Sequence, residues 1–525
     1  MFQGLFDSYA RYRSRWIPAF AGMTYSSRWT PLHAFAFGFA GALAFPPTGF
    51  FLILAVSFPA LIGLLRRTPN MLSAFMIGWC FAFGYFLLGL YWIAAAMFVD
   101  IGQFWWAVPL AVAGLPAVCA IYYGIAAALA RCIGLDGLAG ALLFALLWFI
   151  ADYSRGHLLT GFPWNLEGYV WADVLPMLQI VSVTGIYGLT LLTLVVACLP
   201  AGLSDKGRAS QVAVALGIVT LFALAIWGGD RLASATEPAT SVYVRVVQPN
   251  VEQSHKWDIG EREMHFEELL NDTSAPSDKP LAAIIWPETA STFYLQEDAA
   301  HRRAIAERLS EGSFVLTGVI RRSLGGDGRI YYANSLVAID RSGRIAESYD
   351  KFHLVPFGEY IPFRRILPLP TLVNLGVDFT PGEGLRTLHL DGLPAFSPLI
   401  CYEAIFSGEV ARRDDRPQLL INVTNDGWYG RTAGPYQHFA SARIRAIEEG
   451  LPLVRSANTG ISGVMDAYGR IVVQLGLGKT DYVDADLPPA AAPTIFSRYG
   501  ERPLWILVVG LFVLFVVARW GQARR

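Results

Sequence analysis

The segment FSPLICYEAIF, from Phe396 to Phe406, decides how the polar part of this chain folds. Its first five residues form a short apolar run, which predicts a buried strand ending at Ile400. The residues that follow, starting with Cys401, predict the beginning of a helix. A thiol at that junction lies where helix N-terminal N–H groups lower its pKa, as a nucleophile requires. The alternative is a core cysteine, because free cysteines are often buried.

Strands and helices alternate on both sides of this segment, which predicts an α/β layered domain with its chemistry at strand ends. Proline- and alanine-rich linkers at 233–238 and 488–493 lie on either side of this domain and place it at 241–488. The predicted strands are 242–247, 281–286, 314–320, 335–340, 344–348, 396–400, 419–423 and 453–456, and the predicted helices are 258–271, 298–310 and 435–449.

The composition predicts a membrane protein that carries one soluble-type domain. The chain is 54% hydrophobic, yet 33 of its 42 carboxylates lie between Glu237 and Gly500. A net charge of -1 without a basic stripe argues against a nucleic-acid partner. Four of the five cysteines lie in apolar stretches, which argues against a disulfide framework or a zinc site.

About eight stretches are apolar over the roughly 20 residues that a spanning helix needs. Seven form an N-terminal block at 31–228, and the last follows the polar domain. The first two are short and joined by Pro46-Pro47-Thr48-Gly49, so a re-entrant hairpin is the alternative for them. The stretches are 31–46, 49–65, 72–97, 105–130, 137–152, 174–200, 210–228 and 503–519.

Basic residues flank alternate ends of these stretches, as the positive-inside rule requires of cytoplasmic ends. Residues 1–30 are then a basic cytoplasmic tail, with Met1 or Met23 as the start. The polar domain falls on the opposite, extracytoplasmic side, which in a bacterium is the periplasmic side of the inner membrane. The basic residues are Arg11, Arg13, Arg15, Arg28, Arg66, Arg67, Arg131, Lys206, Arg208, Arg519, Arg524 and Arg525.

Two further strand ends carry candidate chemistry beside Cys401. Glu288 follows a buried strand that stops at Pro287, and Lys351, one of only five lysines, lies in an otherwise apolar run. Each alone has a plainer explanation, a surface acid or a snorkelling lysine. Together with Cys401 they supply a base, a cation for an oxyanion and a nucleophile. Histidine is the usual alternative base, but the eight histidines show no helpful spacing.

Three ordered motifs resemble the Glu, Lys and Cys signatures of the nitrilase superfamily, whose domains have an αββα fold. They are Trp286-Pro287-Glu288, Lys351 with the run Leu354-Val355-Pro356-Phe357-Gly358-Glu359-Tyr360, and Ile400-Cys401-Tyr402-Glu403. The segment Asn422 to Gly430 also resembles a family segment near the active site. With its apolar block and final span, the whole chain resembles the apolipoprotein N-acyltransferase family of bacterial inner membranes.

The resemblance implies a ping-pong acyl transfer without metal or cofactor. Cys401 would take an acyl chain from a phospholipid as a thioester, and the α-amine of the diacylglyceryl-cysteine of an apolipoprotein would then receive it. Glu288 would act as base and acid in turn, and Lys351 would hold the oxyanion. Glu359, Tyr402 and Glu403 match supporting positions of the family, either by hydrogen bonds behind the site or by substrate contact.

Aromatic residues are the candidates for contact with the lipid substrates. Trp164 lies in the segment 152–173, on the predicted domain side of the membrane, with Arg155, His157, Phe162, Pro163 and Trp171. This segment would line a lipid entrance, or would form an ordinary interfacial aromatic belt. Trp257 and Trp428 are further candidates, with a role in the core as the alternative.

Two other functional classes remain open. A membrane-tethered nitrilase-like amidase would use the same three residues with water as acceptor, although eight spans exceed what an anchor needs. A transporter or scaffold would use the polar domain only for binding. The scarcity of ionisable residues in the middle of the spans argues against a transport pathway.

Overall fold

The computed structural model describes residues 29–205, 207–235, 240–362, 364, 366 and 378–523. The predicted basic tail up to residue 28 and part of the first linker lie outside these residues. The described chain has an N-terminal helical block, an α/β domain and a C-terminal helix. All strands belong to the α/β domain, within the residues the structure describes.

Six described helices are long and apolar enough to cross a membrane: Met71–Gly89, Ile101–Ile133, Gly137–His157, Val181–Ser204, Arg208–Ala233 and Arg502–Gln522. The first two predicted spans are shorter apolar helices, Thr30–Ala44 and Phe51–Arg66. The α-helices up to the domain are α1 Thr30–Gly41, α2 Leu54–Arg66, α3 Met71–Gly89, α4 Ala95–Phe98, α5 Ile101–Phe104, α6 Leu115–Ile133, α7 Gly137–His157, α8 Leu175–Leu178, α9 Val181–Cys198 and α10 Arg208–Ala233.

Aromatic side chains fill the middle of the helical block. Trp148 of α7 is fully buried and packs edge-on against Phe58 and Phe81, with ring centroids 5.2 and 5.5 Å away. Small residues let the helices approach each other closely. At Gly38 of α1, a Cβ would lie 1.8 Å from the carbonyl oxygen of Phe81, so only glycine fits between α1 and α3.

Helix α9 is broken at Gly185, whose φ of 67° and ψ of 179° interrupt the helical hydrogen bonds. The N–H of Ile186, the next residue, donates to the Glu448 carboxylate of the α/β domain at 2.7 Å. Glycine is required at the break because its φ is positive and a Cβ would lie 2.5 Å from the Phe496 ring. A carboxylate from the domain therefore caps the second half of a membrane helix.

The α/β domain contains two sheets. The first has the order β11-β1-β2-β3-β4-β5, with β1–β3 mutually parallel and the others antiparallel. The second has the order β10-β9-β8-β7-β6, with β6–β8 parallel. The strands are β1 Tyr243–Gln248, β2 Ala283–Ile285, β3 Phe314–Leu324, β4 Ile330–Asp340, β5 Ile345–Asp350, β6 Phe396–Ile400, β7 Leu419–Thr424, β8 Leu453–Ala457, β9 Ser462–Met465, β10 Ile471–Leu475 and β11 Asp481–Asp486.

The two sheets pack face to face and each is covered by helices, so the domain has the predicted αββα fold. Alternate residues such as Val246 and Ile285 of the first sheet meet Ile421 and Val454 of the second in one core. The outer faces pack on helices, as the opposite residues of each strand require. The remaining helices are α11 Arg262–Ser274, α12 Ala299–Glu307, α13 Gly434–Glu449, α14 Ile495–Tyr499 and α15 Arg502–Ala523.

Candidate active site

Three strand ends bring Glu288, Lys351 and Cys401 together. Glu288 lies just beyond β2, and Lys351 and Cys401 directly follow β5 and β6. The Lys351 Nζ lies 3.6 Å from Glu288 Oε1, and the charges of both residues act on the Cys401 thiol. The three side chains are 1–6% exposed. The predicted base, cation and nucleophile therefore share one buried site.

Glu288 is oriented by donors from three parts of the chain. Asn334 Nδ2 donates to its Oε1 at 2.7 Å, and the backbone N–H of Asn425 donates to its Oε2 at 2.9 Å. Lys256 Nζ donates to its backbone oxygen at 3.0 Å. With both carboxylate oxygens held, the Glu288 side chain keeps one orientation, as a general base requires.

Lys351 lies between two carboxylates. Its Nζ is 2.9 Å from Glu359 Oε2, and Glu359 in turn accepts from Asn334 Nδ2 at 2.8 Å and from the Val355 N–H at 2.7 Å. Burial opposes the charge, but Glu359 and Glu288 outweigh it and raise the pKa of Lys351. Lys351 is therefore a fixed cation, and Glu359 holds it by a hydrogen bond.

The environment of Cys401 differs from the sequence prediction. Residues Cys401–Ile405 form a short 3-10 helix, and Cys401 has a φ of 51°, in the left-handed region. Burial, followed by the Glu288 charge, raises the thiol pKa to about 12, although Lys351 opposes this. The prediction that a helix N-terminus lowers this pKa was wrong, because desolvation dominates at a buried thiol. The resting group is a protonated thiol, which would need a base to act as a nucleophile.

The backbone strain at Cys401 is of a kind found at functional sites. A left-handed conformation at a residue with a Cβ costs about 1–3 kcal/mol and persists only where the surrounding structure imposes it. Glu403 supplies part of that structure. Its Oε2 accepts from the Ile400 N–H at 2.7 Å, and its Oε1 accepts from the Phe352 N–H at 2.9 Å and the Tyr349 hydroxyl at 2.8 Å. Glu403 thus ties the Lys351 strand end to the Cys401 strand end.

The helical block contributes directly to the site. The Tyr402 hydroxyl donates to the Gly161 backbone oxygen at 3.0 Å. Trp164 is 3% exposed, and its ring lies 5.7 Å from His438 and 6.1 Å from Tyr429. Tyr429 interacts through its hydroxyl with the Cys401 thiol. Gly161 and Trp164 of the segment 152–173 therefore pack on the domain, whereas Leu158 and Leu159 of the same segment are exposed. Contact of Trp164 with a lipid stays a prediction.

Arg155 holds this segment in place from inside the helical block. It is buried and donates to the backbone oxygens of Phe162 and, at 2.8 Å, Trp164. Its charge is balanced by Asp152, at 3.1 Å, and it also donates to the Tyr123 hydroxyl at 2.8 Å. The sequence analysis placed Arg155 in a segment that would line a lipid entrance. In the structure its side chain is buried and holds the backbone at Phe162 and Trp164 by hydrogen bonds.

The other two residues predicted to contact substrate, Trp257 and Trp428, differ in solvent exposure. Trp257 is 42% exposed and immediately follows Lys256. Trp428 is half-buried in the 3-10 helix Asp426–Tyr429. It directly precedes Tyr429, whose side chain interacts with Cys401. Their contact with a lipid stays a prediction. Within the described residues, no group of three or more His, Cys, Asp or Glu side chains could hold a metal ion.

Sequence reasoning missed His438, which lies behind Cys401. Its Nε2 is 3.1 Å from the Cys401 backbone oxygen and its Nδ1 is 2.8 Å from Asp426 Oδ1. Arg455 completes this buried group, with its guanidinium 2.8 Å from Asp426 Oδ2. The three residues come from α13, β8 and the segment after β7. Because they are far apart along the chain, no sequence motif indicates that they meet. They support the Cys401 backbone.

Lys256 was also missed, and it adds a second buried cation to the site. Burial lowers its pKa to about 8, while the charges of Glu288 and Cys401 oppose the shift. Lys256 is therefore charged at neutral pH and loses its proton as the pH rises through about 8. The neutral amine makes a weaker hydrogen bond to the Glu288 backbone oxygen and no longer favours negative charge on Glu288 or Cys401.

If Cys401 takes an acyl chain, as the resemblance to the nitrilase superfamily implies, this acylation is expected to slow roughly tenfold as the pH rises through 8. About tenfold is the cost of one charge-assisted hydrogen bond. Lys256→Met should be slow below pH 8 and should lack this inflection. The rate of adduct formation with a labelled acyl donor, followed from pH 6 to 9.5, measures both. Lys279→Met, which removes an exposed lysine paired with Asp486, should keep the parental profile. An inflection near 8 that survives in Lys256→Met would exclude this role.

Comparison with known proteins covers nearly the whole chain. Residues 37–199 match the apolipoprotein N-acyltransferase N-terminal domain, and residues 243–494 match the carbon-nitrogen hydrolase domain. An apolipoprotein N-acyltransferase of Rhodopseudomonas palustris is 41% identical over 504 residues, which are 92% of this chain and 94% of that protein. One of Brucella melitensis is 40% identical over 509 residues, 93% and 95% of the two chains.

Among solved structures, an amidase from Nesterenkonia sp. is similar to part of the chain. It is 20% identical with a TM-score of 0.36, and the match covers 49% of this chain and 94% of the amidase.

Proposed function

The chain belongs to the apolipoprotein N-acyltransferase family, and from this premise we propose that it acylates apolipoproteins through a thioester on Cys401. The donor is a phospholipid, and the acceptor is the α-amine of the N-terminal diacylglyceryl-cysteine of an apolipoprotein. One observation carries the proposal: a thiol, a carboxylate and an ammonium group converge where the αββα domain packs on a multi-pass membrane block. Both substrates are anchored by acyl chains, so this position lets them reach the thiol from the bilayer.

The first half-reaction forms the thioester. Glu288 takes the Cys401 proton as the sulfur attacks the ester carbonyl carbon, and an S–C bond forms. The carbonyl oxygen becomes an oxyanion beside the Lys351 ammonium, which is already in place. The ester C–O bond then breaks, and the proton on Glu288 passes to the oxygen of the leaving lysophospholipid.

The second half-reaction uses the same groups in reverse. Glu288 takes a proton from the incoming α-amine, whose nitrogen attacks the thioester carbonyl carbon. The S–C bond breaks as the amide C–N bond is completed, and the proton on Glu288 returns to the sulfur. The pKa of about 12 at Cys401 means that the free enzyme carries a protonated thiol again. Because Glu288 accepts and returns the proton in both half-reactions, its carboxylate has to keep one orientation through both.

The proposal separates acyl transfer from the amidase alternative by the acceptor. We expect the labelled thioester to persist in buffer and to discharge when a diacylated lipopeptide with a free N-terminal amine is added. The same lipopeptide with a blocked amine should leave the adduct intact. Glu288→Gln should impair both half-reactions. Rapid release of free fatty acid without lipopeptide would identify a hydrolase and contradict the proposal.

We also place the αββα domain on the periplasmic side of the inner membrane. Arginines at the other end of the helical block support this orientation. Arg66 Nε donates to the Leu135 oxygen at 2.7 Å, Arg131 Nε to the Thr68 oxygen at 2.9 Å, and Arg519 to the Ile133 oxygen at 3.1 Å. In sealed vesicles, lipopeptide added outside should discharge the thioester only when the periplasmic face is outward.

A further inference from the structure

A cleft of about 270 Å³ lies on the αββα domain beside the start of the C-terminal helix α15. We name it the arginine cleft, because four arginines line it together with a glutamate and a serine: Arg412, Arg413, Arg416, Arg498, Glu449 and Ser497. None of these residues belongs to the candidate active site. Glu449 is the last residue of α13, eleven residues beyond His438, which corresponds to roughly 16 Å along a helix. The arginine cleft is therefore a second site.

The protein balances only part of the positive charge of the arginine cleft. Arg412 pairs with Asp414, and Arg416 donates to the Glu449 backbone oxygen at 2.9 Å. The side chains of Arg413 and Arg498 are exposed and make no hydrogen bond or ion pair within the described part of the chain. Two guanidinium groups are thus free to bind an anion.

Two further effects increase the demand for an anion. Burial lowers the pKa of Arg416, the charge of Glu449 opposes this shift, and the charge of Arg498 adds to it, so the two arginines repel each other. Burial, followed by the charge of Glu448, raises the pKa of Glu449 to about 7, so its carboxylate is only a partial counter-charge at neutral pH. A bound anion would relieve the repulsion between the guanidinium groups.

The arginine cleft lies at the level of a lipid headgroup. Arg498 belongs to α14, and the apolar helix Arg502–Gln522 begins only four residues later. Ile495 and Tyr499 of α14 are 48% and 52% exposed, as expected of side chains that anchor at a membrane interface. At this depth the abundant anions are the phosphates of phospholipids.

We propose that the arginine cleft binds the phosphodiester of an anionic phospholipid headgroup from the leaflet next to the αββα domain. The planar guanidinium fork matches two phosphate oxygens at once, which a lysine cannot do. This binding does not depend on the proposed acyl transfer, since no active-site residue takes part. The lipid holds α14 and the start of α15 against the domain, because the same headgroup contacts Arg413 and Arg498.

The test uses the full chain in detergent and native mass spectrometry during titration with phosphatidylglycerol. We expect parental protein to retain this lipid and Arg413→Gln/Arg498→Gln to bind it at least about tenfold more weakly, as removal of two charge-assisted contacts implies. Arg341→Gln/Arg344→Gln, with the same charge change on the β4–β5 turn, should bind like the parent. Arg413→Lys/Arg498→Lys keeps the charge but loses the fork, so it should bind more weakly than the parent and more tightly than the glutamine variant. Such an intermediate affinity excludes unfolding as the cause.

Three outcomes would overturn the proposal. Equal phosphatidylglycerol binding by the parent and the glutamine variant would remove the arginine cleft as the site. Equally tight binding of phosphatidylcholine would remove the requirement for an anionic lipid. Displacement of phosphatidylglycerol by inorganic phosphate at the same concentration would identify a simple anion site that does not recognise lipid.

Discussion

Replacement of Cys401 by alanine is expected to abolish the covalent acyl adduct completely. Cys401 is the only cysteine in the described part of the αββα domain, and in the proposed mechanism Glu288 takes its proton. The parent, incubated with a phospholipid that carries a labelled acyl chain, should give an adduct that hydroxylamine removes. Label in Cys401→Ala equal to the parent would show that another residue carries the acyl chain.

A matched control for this experiment is Cys132→Ala. Cys132 is a free, exposed cysteine at the end of α6, in the helical block. Its removal should leave the adduct unchanged. Thermal melting of both variants tests folding, and Cys401→Ala should remain folded, because alanine removes only the sulfur and keeps the apolar contacts of Cβ.

Replacement of Lys351 by methionine is expected to lower turnover by about 10²–10³, the usual cost of one lost oxyanion donor. Methionine also leaves Glu288 and Glu359 buried without their common partner, which costs about 3–5 kcal/mol when one side of a buried ion pair is removed. The variant should therefore melt earlier as well. Single-turnover acylation and thermal melting separate the two effects.

Lys351→Arg keeps a positive charge between Glu288 and Glu359, so the loss of stability expected of Lys351→Met should be smaller. The guanidinium fork does not reproduce a compact ammonium between two carboxylates, so we expect severe loss of turnover with a melting temperature closer to that of the parent. Lys479→Met, at an exposed position, is the control. Near-parental turnover in either Lys351 variant would mean that this residue serves only to place its alkyl chain against the core.

The sequence predicted an α/β layered domain with its chemistry at strand ends because alternating strands and helices are local patterns, and the resemblance of three motifs to the nitrilase superfamily added the αββα arrangement. Buried strands such as β6, at Phe396–Ile400, are short apolar runs that stop at a polar residue. Strands β9, β10 and β11 were not predicted. The pattern of β10 and β11 is weak because most of their residues are exposed or partly exposed at one end of a sheet.

The supporting residues of the site could not be predicted, for a different reason. Asn334, Asn425 and Lys256 act on Glu288 from three separate elements, and such contacts appear only once the sheets have paired. The pKa of Cys401 was mispredicted for the same reason. A helix start is visible in a sequence, whereas the depth at which the thiol is buried depends on the opposite sheet and on the helical block.

The cap on the broken helix α9 sets an order for the biosynthesis of this chain. The Ile186 N–H and the Glu448 carboxylate are separated by 262 residues, so the ribosome releases α9 long before its cap exists. Until Glu448 arrives, the interior N–H groups at Gly185 must find water or another acceptor, because an unsatisfied donor in an apolar medium costs several kcal/mol. Maturation of the membrane block therefore waits for the polar domain to be synthesised and folded. A chain truncated before residue 448 would contain a helix α9 that lacks this cap.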